Sequence, residues 1–263
     1  MDEIDTNISA TALKALKVLD FIGEQRRALS VVEVADGIGA DRATAYRMLM
    51  TLVQAGYVTR DHSSKNYRLS FKVLSVGRHL LGDDERGIRI MDCLRAISEA
   101  TGETVHYAAL EREQSVLLYR VKGTQRVGVD FQIGDRSALH CTSIGKVLLA
   151  YQDVRMVEKL LAQGLQKVAP QTITQPEAFR AELARIRAQA YAYDDLEFAA
   201  DMRCVAVPVF EKGGEVPGGI SISGPSSRFD LAMLDRLRAV IAGHAVELSK
   251  QLGGAGQVYE PMI

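Results

Sequence analysis

Apolar residues near the N-terminus recur at helical spacing in three short segments. The first segment, over residues 11–23, contains an apolar stripe of Leu13, Leu16, Leu19 and Ile22. This stripe predicts an amphipathic helix. Ser30 and Glu33 have the spacing of a capping box, which predicts a second helix after Ser30. The glycines beyond it predict a tight turn, and Asp41 is placed to cap a third helix over residues 42–55.

Two strand-like segments, 56–60 and 67–69, flank a polar stretch and predict a hairpin. Three helices followed by a hairpin indicate a winged helix-turn-helix. Its third helix is expected to present five residues near its N-terminal half to a DNA major groove: Arg42, Thr44, Ala45, Tyr46 and Arg47. Lys65 and Arg68 of the hairpin are expected to contact phosphates. Winged helices also serve as protein-docking modules, so this alternative stays open.

Charge along the chain supports DNA over a protein partner. The whole chain has a net charge of only -1. Residues 41–80, however, contain seven basic and two acidic residues, a local balance of +5. A basic block confined to the third helix, the hairpin and the residues after it is typical of phosphate contact, although a solvated charged face gives the same count.

The remaining sequence alternates between helical and strand-like patterns. Residues 71–84 are expected to be a linker with helical content, and residues 85–101 a helix. Strands are predicted over 104–110, 115–121, 126–131, 205–210 and 219–223. Further helices are predicted over 143–150, 154–162, 174–188 (from a capping box at Thr174 and Glu177) and 230–252. Antiparallel strands with helices segregated around them indicate an α+β domain. The predicted organisation is therefore 1–70, 71–84 and 85–263.

Composition narrows the class of protein. The three cysteines Cys93, Cys141 and Cys204 are odd in number and widely spaced, which favours free thiols in a reducing compartment. The acidic first residues do not resemble a secretory signal, and no apolar stretch is long enough to span a bilayer. We therefore expect a cytoplasmic protein with no membrane partner.

Seven short motifs in order resemble the IclR family of bacterial transcription regulators, and the resemblance runs from about residue 9 to residue 252. The motifs are ATAYRML at 43–49 with GYV at 56–58 and YRL at 67–69, HCTSIGKVLLA at 140–150, YDDLEF at 193–198, RCVAVPV at 203–209 and ISISGP at 220–225. The sequence departs from the usual family pattern at Ala190 and Asp201, where a glycine is usual, and at Leu196, where an acid is usual.

The resemblance implies a GAF-like effector-binding domain joined by a linker helix to the winged helix-turn-helix, assembled as a homodimer or homotetramer on double-stranded operator DNA. It also implies effector contacts from six positions: Ser143, Ile144, Asp194, Cys204, Ser221 and Ser223. Backbone amides at a helix start suit a carboxylate, and two serines spaced two apart on a strand point to one face. A small organic or aromatic acid is therefore the expected effector, with Asp194 accepting a ligand hydroxyl or being protonated. No cofactor or metal is expected.

Simpler interpretations exist for several of these residues. In one interpretation, Ser221 and Ser223 only cap a turn. In another, Cys204 is an ordinary residue of the hydrophobic core. His106 and His140 are expected to be structural histidines with satisfied nitrogens, and Lys146 to place its amine in solvent. An enzyme or metal sensor built on Cys204, Cys141, His140 and Asp194 is the rival class, but the sequence has no CxxC pair, HExxH motif or glycine-rich phosphate loop.

Overall fold

A computed structural model describes residues 8–78, 84–126 and 128–254. The chain divides into two compact units, Met1–Leu80 and Leu81–Ile263, and each unit is described by itself. Within the described ranges, no helix is long and apolar enough to cross a membrane.

Over its described residues, 8–78, the N-terminal unit contains four helices and one hairpin. Its elements are α1 (Ala10–Glu24), α2 (Val31–Ile38), α3 (Arg42–Gln54), β1 (Val58–Arg60), β2 (Tyr67–Leu69) and α4 (Lys72–Gly77). β1 and β2 are antiparallel, with Thr59 opposite Arg68. Backbone hydrogen bonds between Leu29 and Tyr67 join the hairpin to the segment before α2. The predicted winged helix-turn-helix is confirmed.

Local signals in the sequence set the ends of these helices. Ser30 and Glu33 form the predicted capping box, with the Ser30 amide 2.8 Å from the Glu33 carboxylate. Gly39 has a φ of 64° at the end of α2, a conformation that glycine adopts without strain. The Asp41 side chain accepts a hydrogen bond from the Thr44 amide and caps α3.

The stripe predicted for α1 is only partly buried. Val18 and Ile22 are in the core of the N-terminal unit, whereas Leu13 and Leu16 are exposed. Residues spaced by three in a helix drift around its axis, because the helical repeat is 3.6 residues. The four stripe residues therefore do not all face one side.

In the part of the C-terminal unit that the structure describes, six strands combine with five α-helices. Its strands are β3 (Val105–Glu111), β4 (Gln114–Val121), β5 (Arg136–Ala138), β6 (Ala192–Asp195), β7 (Met202–Val209) and β8 (Gly218–Pro225). Its helices are α5 (Glu85–Thr101), α6 (Ser143–Ala150), α7 (Val154–Gln163), α8 (Pro176–Gln189) and α9 (Leu231–Gln251). The sheet has the order β5-β4-β3-β8-β7-β6 and is antiparallel throughout.

The two faces of this sheet are covered by different helices. Val205 and Ile222 pack with residues of α5 and α9 in one core, whereas Ala108 and Ala206 pack with residues of α6 and α8 in the other. Successive strand residues point to opposite faces, so β3 and β7 each contribute to both cores. The predicted α+β fold is confirmed.

Two predicted local features are wrong. Residues 126 and 128–131 form no strand, and β4 pairs with β5 instead. Gly128 and Asp130 disfavour a strand, although the segment alternates in polarity. The predicted capping box at Thr174 is also absent, because α8 begins at Pro176 and its cap residue Gln175 makes no side-chain cap bond. In the predicted linker, α4 covers Lys72–Gly77, and residues 79–83 lie outside the described ranges.

Candidate nucleic-acid interface and ligand cavity

The first half of α3 presents polar side chains on its surface. Arg42, Tyr46 and Arg47 are exposed, and Thr44 is half-buried. The Arg47 guanidinium donates a hydrogen bond to the Thr44 hydroxyl at 3.3 Å. Because Asp41 fixes the start of the helix, these four side chains are held on one short and rigid segment.

Ala45 differs from its neighbours because its side chain is completely buried. It packs in the core with residues of α1 and α2. The prediction that Ala45 is available to a DNA groove is therefore wrong. Position 45 is about 100° around the helix from Tyr46, on the side where Met48 and Leu49 also pack into the core.

The hairpin turn is organised by one carboxylate. Asp61 accepts hydrogen bonds from the amides and hydroxyls of Ser63 and Ser64, which hold the pKa of Asp61 well below its usual range. Lys65 follows in a left-handed conformation with a φ of 59°. Lys65 and Arg68 are both exposed, so the hairpin presents two cations to solvent.

A cavity of about 240 Å³ opens in the C-terminal unit beside the start of α6. Five of the six expected effector positions line it: Ser143, Ile144, Cys204, Ser221 and Ser223. Apolar and aromatic side chains supply much of the remaining wall, among them Leu117, Phe131, Phe198 and Met202. The cavity therefore combines a few polar groups with an apolar lining, as small-molecule sites do.

The start of α6 is shaped by Thr142 and Gly145. The Thr142 hydroxyl accepts a hydrogen bond from the Gly145 amide, at 3.1 Å. The backbone carbonyl of Thr142 accepts one from the Lys146 amide. A Cβ atom on Gly145 would lie 2.6 Å from the backbone of Leu139, so only glycine fits. The amides of Ser143 and Ile144, at the first two helical positions, have no intrahelical acceptor.

The sheet register brings the other polar groups to the same face. Ser223 lies opposite Cys204, and Ser221 lies opposite His106 on the neighbouring strand. Directly opposed residues in an antiparallel pair point to the same side. Ser221 and Ser223 therefore line the cavity and do not serve only as turn caps, while Cys204 is both buried and part of the wall.

Asp194 is not among the residues that line the cavity. It is fully buried, and its carboxylate accepts hydrogen bonds from the amides of Glu197, at 2.8 Å, and Phe198, at 3.2 Å. Burial raises the pKa of Asp194 to about 6. The carboxylate thus holds the turn that carries Phe198 into the cavity, and a direct ligand contact finds no support in this geometry.

Lys146 is buried, although the sequence predicts that its amine lies in solvent. Its side chain is only 1% exposed, and its amine pairs with Glu182, at 3.3 Å, and with Glu197. Every residue of α6 is buried, so the helix has no solvent face along which the amine could reach water. The prediction of a solvated amine is therefore wrong.

The two buried histidines differ from each other. His140 behaves as predicted, since its Nε2 atom lies 2.7 Å from the carbonyl oxygen of Gln166. Neither ring nitrogen of His106 has a hydrogen-bond partner within the described ranges, and the ring lines the cavity. The expectation of a satisfied structural histidine is wrong for His106. The sequence had no signal for this difference, because the partners of a buried ring depend on tertiary packing.

Two of the three cysteine thiols, Cys141 and Cys204, are buried. All three cysteines are free, and burial raises the pKa of Cys141 to about 12 and also raises that of Cys204. Both thiols are therefore protonated near neutral pH, the unreactive form. Among the residues with described positions, no group of three or more His, Cys, Asp or Glu side chains could hold a metal ion.

A winged helix with exposed cations, joined in one chain to a second unit that contains a cavity, is the organisation of a DNA-binding transcription regulator. Two family models match the chain: the IclR helix-turn-helix domain over residues 11–62 and the bacterial transcriptional regulator IclR C-terminal domain over residues 88–250. The HTH-type transcriptional regulator KdgR of Escherichia coli is 33% identical over 247 residues, 93% of each chain. The chain therefore belongs to the IclR family.

Solved structures agree with this assignment. The IclR protein of Thermotoga maritima has 31% sequence identity and a TM-score of 0.77, and the match covers 92% of this chain and 98% of that one. An IclR homologue from Microbacterium hydrocarbonoxydans, complexed with 4-hydroxybenzoate, shares the fold at 22% identity, with a TM-score of 0.77 over 92% of this chain and 100% of that chain. The protein is a DNA-binding transcriptional regulator, and its relatives are regulators and not enzymes.

Proposed function

We propose that this regulator controls a catabolic operon in the cytoplasm and responds to a small carboxylate. It binds double-stranded operator DNA through α3 and the hairpin as a homodimer or homotetramer. The effector occupies the cavity of the C-terminal unit, which is a GAF-like effector-binding domain. The observation that supports the effector proposal is that the start of α6, with Ser143 and Ile144, lines the same cavity as Ser221 and Ser223.

The DNA contacts follow from the exposed groups of the N-terminal unit. Arg42, Thr44, Tyr46 and Arg47 are placed to reach base edges and nearby phosphates. Lys65 and Arg68 are placed to reach phosphates beside the hairpin. The buried Ala45 takes no part in these contacts through its side chain.

Self-association is supported by two features of the N-terminal unit. One winged helix carries few cations, so operator affinity requires at least two copies on a roughly palindromic site. In addition, large apolar side chains are exposed on α1 and at α4: Leu13, Leu16, Phe71, Leu74 and Val76. Exposed apolar patches of this kind are typical of protein interfaces.

A carboxylate fits the donors of the cavity. The Ser143 and Ile144 amides lie at the positive end of a helix dipole, and the Ser221 and Ser223 hydroxyls add two further donors. The volume of about 240 Å³ suits a small molecule. Organic acids with an aromatic or short aliphatic body match the apolar wall, and the structural relative that binds 4-hydroxybenzoate supports this class.

The experiment that tests this proposal removes the hydroxyls of Ser221 and Ser223 together. The Ser221→Ala, Ser223→Ala double variant should bind operator DNA as the parent does in a gel-shift titration but lose its response to the acid. Calorimetry on the full chain should show at least about tenfold weaker acid binding, since each hydrogen bond to a charged group contributes roughly 1.5 to 3 kcal/mol.

A matched control removes a buried hydroxyl elsewhere in the same unit. Ser98 donates to the carbonyl oxygen of Glu103 at 2.9 Å and does not line the cavity, so Ser98→Ala should leave acid binding unchanged. The carboxylate proposal fails if the effector proves to be uncharged, or if the double variant binds it as tightly as the parent.

A further inference from the structure

His106 stands out among the polar groups of the C-terminal unit. Its side chain is 3% exposed and forms part of the cavity wall. Neither Nδ1 nor Nε2 has a hydrogen-bond partner in the part of the chain that the structure describes. Buried polar groups are nearly always paired, and an unpaired one costs free energy. The cavity that the ring lines is wide enough for a small molecule to reach these nitrogens.

The ring is uncharged near neutral pH. Burial, with a smaller contribution from Arg120 on the neighbouring strand, lowers the pKa of His106 to about 4. A neutral imidazole has one donor and one acceptor nitrogen. It can therefore form a hydrogen bond with a hydroxyl or carbonyl oxygen of a ligand. It has no positive charge with which to attract a carboxylate.

His106 has one polar neighbour and a pair of aromatic neighbours in the cavity wall. Ser221 lies directly opposite it on β8. The Phe131 ring packs edge-to-face on His106, with centroids 5.8 Å apart, and on Phe198, with centroids 6.1 Å apart. These rings pack beside the imidazole, so that a hydrogen bond formed here has apolar groups next to it.

We propose that His106 determines specificity by hydrogen bonding to a second oxygen of the effector, so that the cavity selects hydroxy or keto acids over the same acids without that oxygen. This inference rests on the proposed carboxylate effector and adds a recognition element to it. It also assigns the hydroxyl contact to a group in the cavity wall, since His106 lines the cavity and Asp194 does not.

The test uses pairs of acids that differ by one oxygen: benzoate with its three monohydroxy isomers, and propionate with lactate and pyruvate. Calorimetry on the full chain should show that the parent prefers an oxygenated member of at least one pair by about tenfold or more. His106→Phe should reduce this preference to within about twofold while retaining the affinity for the unsubstituted acid. His106→Gln, which keeps a donor and an acceptor, should retain part of the preference.

A matched control and a second variant make the result decisive. His140→Gln changes the other buried histidine, whose Nε2 pairs with Gln166 outside the cavity, and should keep the parent preference. His106→Leu replaces the phenylalanine variant if thermal unfolding shows that the latter is not folded. A purely structural role for His106 would change stability without changing the ratio of affinities within a pair.

The outcomes separate this inference from the proposed function. If the parent binds acids but shows no preference within any pair, or if His106→Phe and His106→Leu keep the parent preference, the role of His106 is overturned and the carboxylate effector stands. If no acid of the panel binds to the parent, the proposed effector class is overturned and this inference with it.

Discussion

The two units of this regulator display their candidate contacts in opposite ways. In the N-terminal unit, Arg42, Arg47 and Lys65 are exposed on a helix and a hairpin. In the C-terminal unit, Ser143 and Ser223 are buried in the wall of a cavity. DNA is a large polyanion that is met at a convex surface, whereas a small molecule is recognised by being enclosed.

This difference predicts different costs of mutation. An exposed cation can be removed with little effect on folding, because its charge is solvated. A buried charge can be removed only by leaving its partners uncompensated in a medium of low dielectric. Substitutions in the first unit should therefore change binding alone, and those in the second should change stability as well.

The largest loss of stability is expected on substitution of Lys146, in the helix whose first residues line the cavity. Lys146→Met leaves the buried Glu197 and the nearby Glu182 without their shared cation. The free energy of unfolding of the C-terminal unit should fall by roughly 3 to 5 kcal/mol, as when other buried pairs lose one partner. Denaturant unfolding measures this loss.

Lys159 provides the matched control. It pairs with Glu113 at 2.5 Å, but its side chain is 67% exposed, so Lys159→Met should cost less than about 1 kcal/mol. Adding Glu197→Gln to Lys146→Met should recover part of the lost stability, because the uncompensated charge is then removed. Equal and small losses at Lys146 and Lys159 would show that burial does not set the cost of removing a paired charge in this protein.

An intermediate effect is expected on DNA binding. Arg42→Ala and Arg47→Ala should each weaken operator binding by roughly 1 to 3 kcal/mol, because each removes a charged contact to base edges or phosphates. The melting temperature should stay nearly unchanged for both exposed residues. Gel-shift titration and thermal unfolding give the two quantities.

Lys65→Ala gives a comparison within the same unit. As a phosphate contact it should weaken specific and non-specific binding alike, and lower the salt dependence by about one contact. If both arginine variants bind the operator as the parent does, the assignment of α3 as the recognition helix is contradicted.

The N-terminal unit could be predicted almost completely, because its signals are local. Ser30 and Glu33 are three residues apart and form their capping box in the structure. Gly39 and Asp41 mark the end of one helix and the start of the next. The errors, at Leu13, Leu16 and Ala45, concern which side of a predicted helix faces the core. That choice depends on packing between helices.

In the C-terminal unit the strand and helix types could largely be predicted, but the surroundings of individual side chains could not. The partners of Lys146 are 36 and 51 residues away in sequence, and no local pattern reports them. The resemblance to a family supplied Ser143, Ser221 and Ser223. His106 and Phe131 were missed because their place in the wall depends on the order of the strands and on the path of an irregular segment.

The smallest expected effect concerns a backbone feature at Ala190, where the family usually has a glycine. Ala190 ends α8 with a φ of 59°, a left-handed conformation that costs a residue with a Cβ roughly 1 to 2 kcal/mol. Ala190→Gly removes this strain, but it also loses a buried methyl group worth about 0.8 kcal/mol and makes the unfolded chain more flexible.

These contributions nearly cancel, so Ala190→Gly should leave the free energy of unfolding within about 0.5 kcal/mol of the parent. Ala188→Gly is the matched control, because Ala188 is exposed within the last turn of the same helix. Glycine there has no strain to relieve and should cost about 1 kcal/mol. Denaturant unfolding of both variants gives the comparison. Equal losses at the two positions would show that residue 190 does not adopt the left-handed conformation.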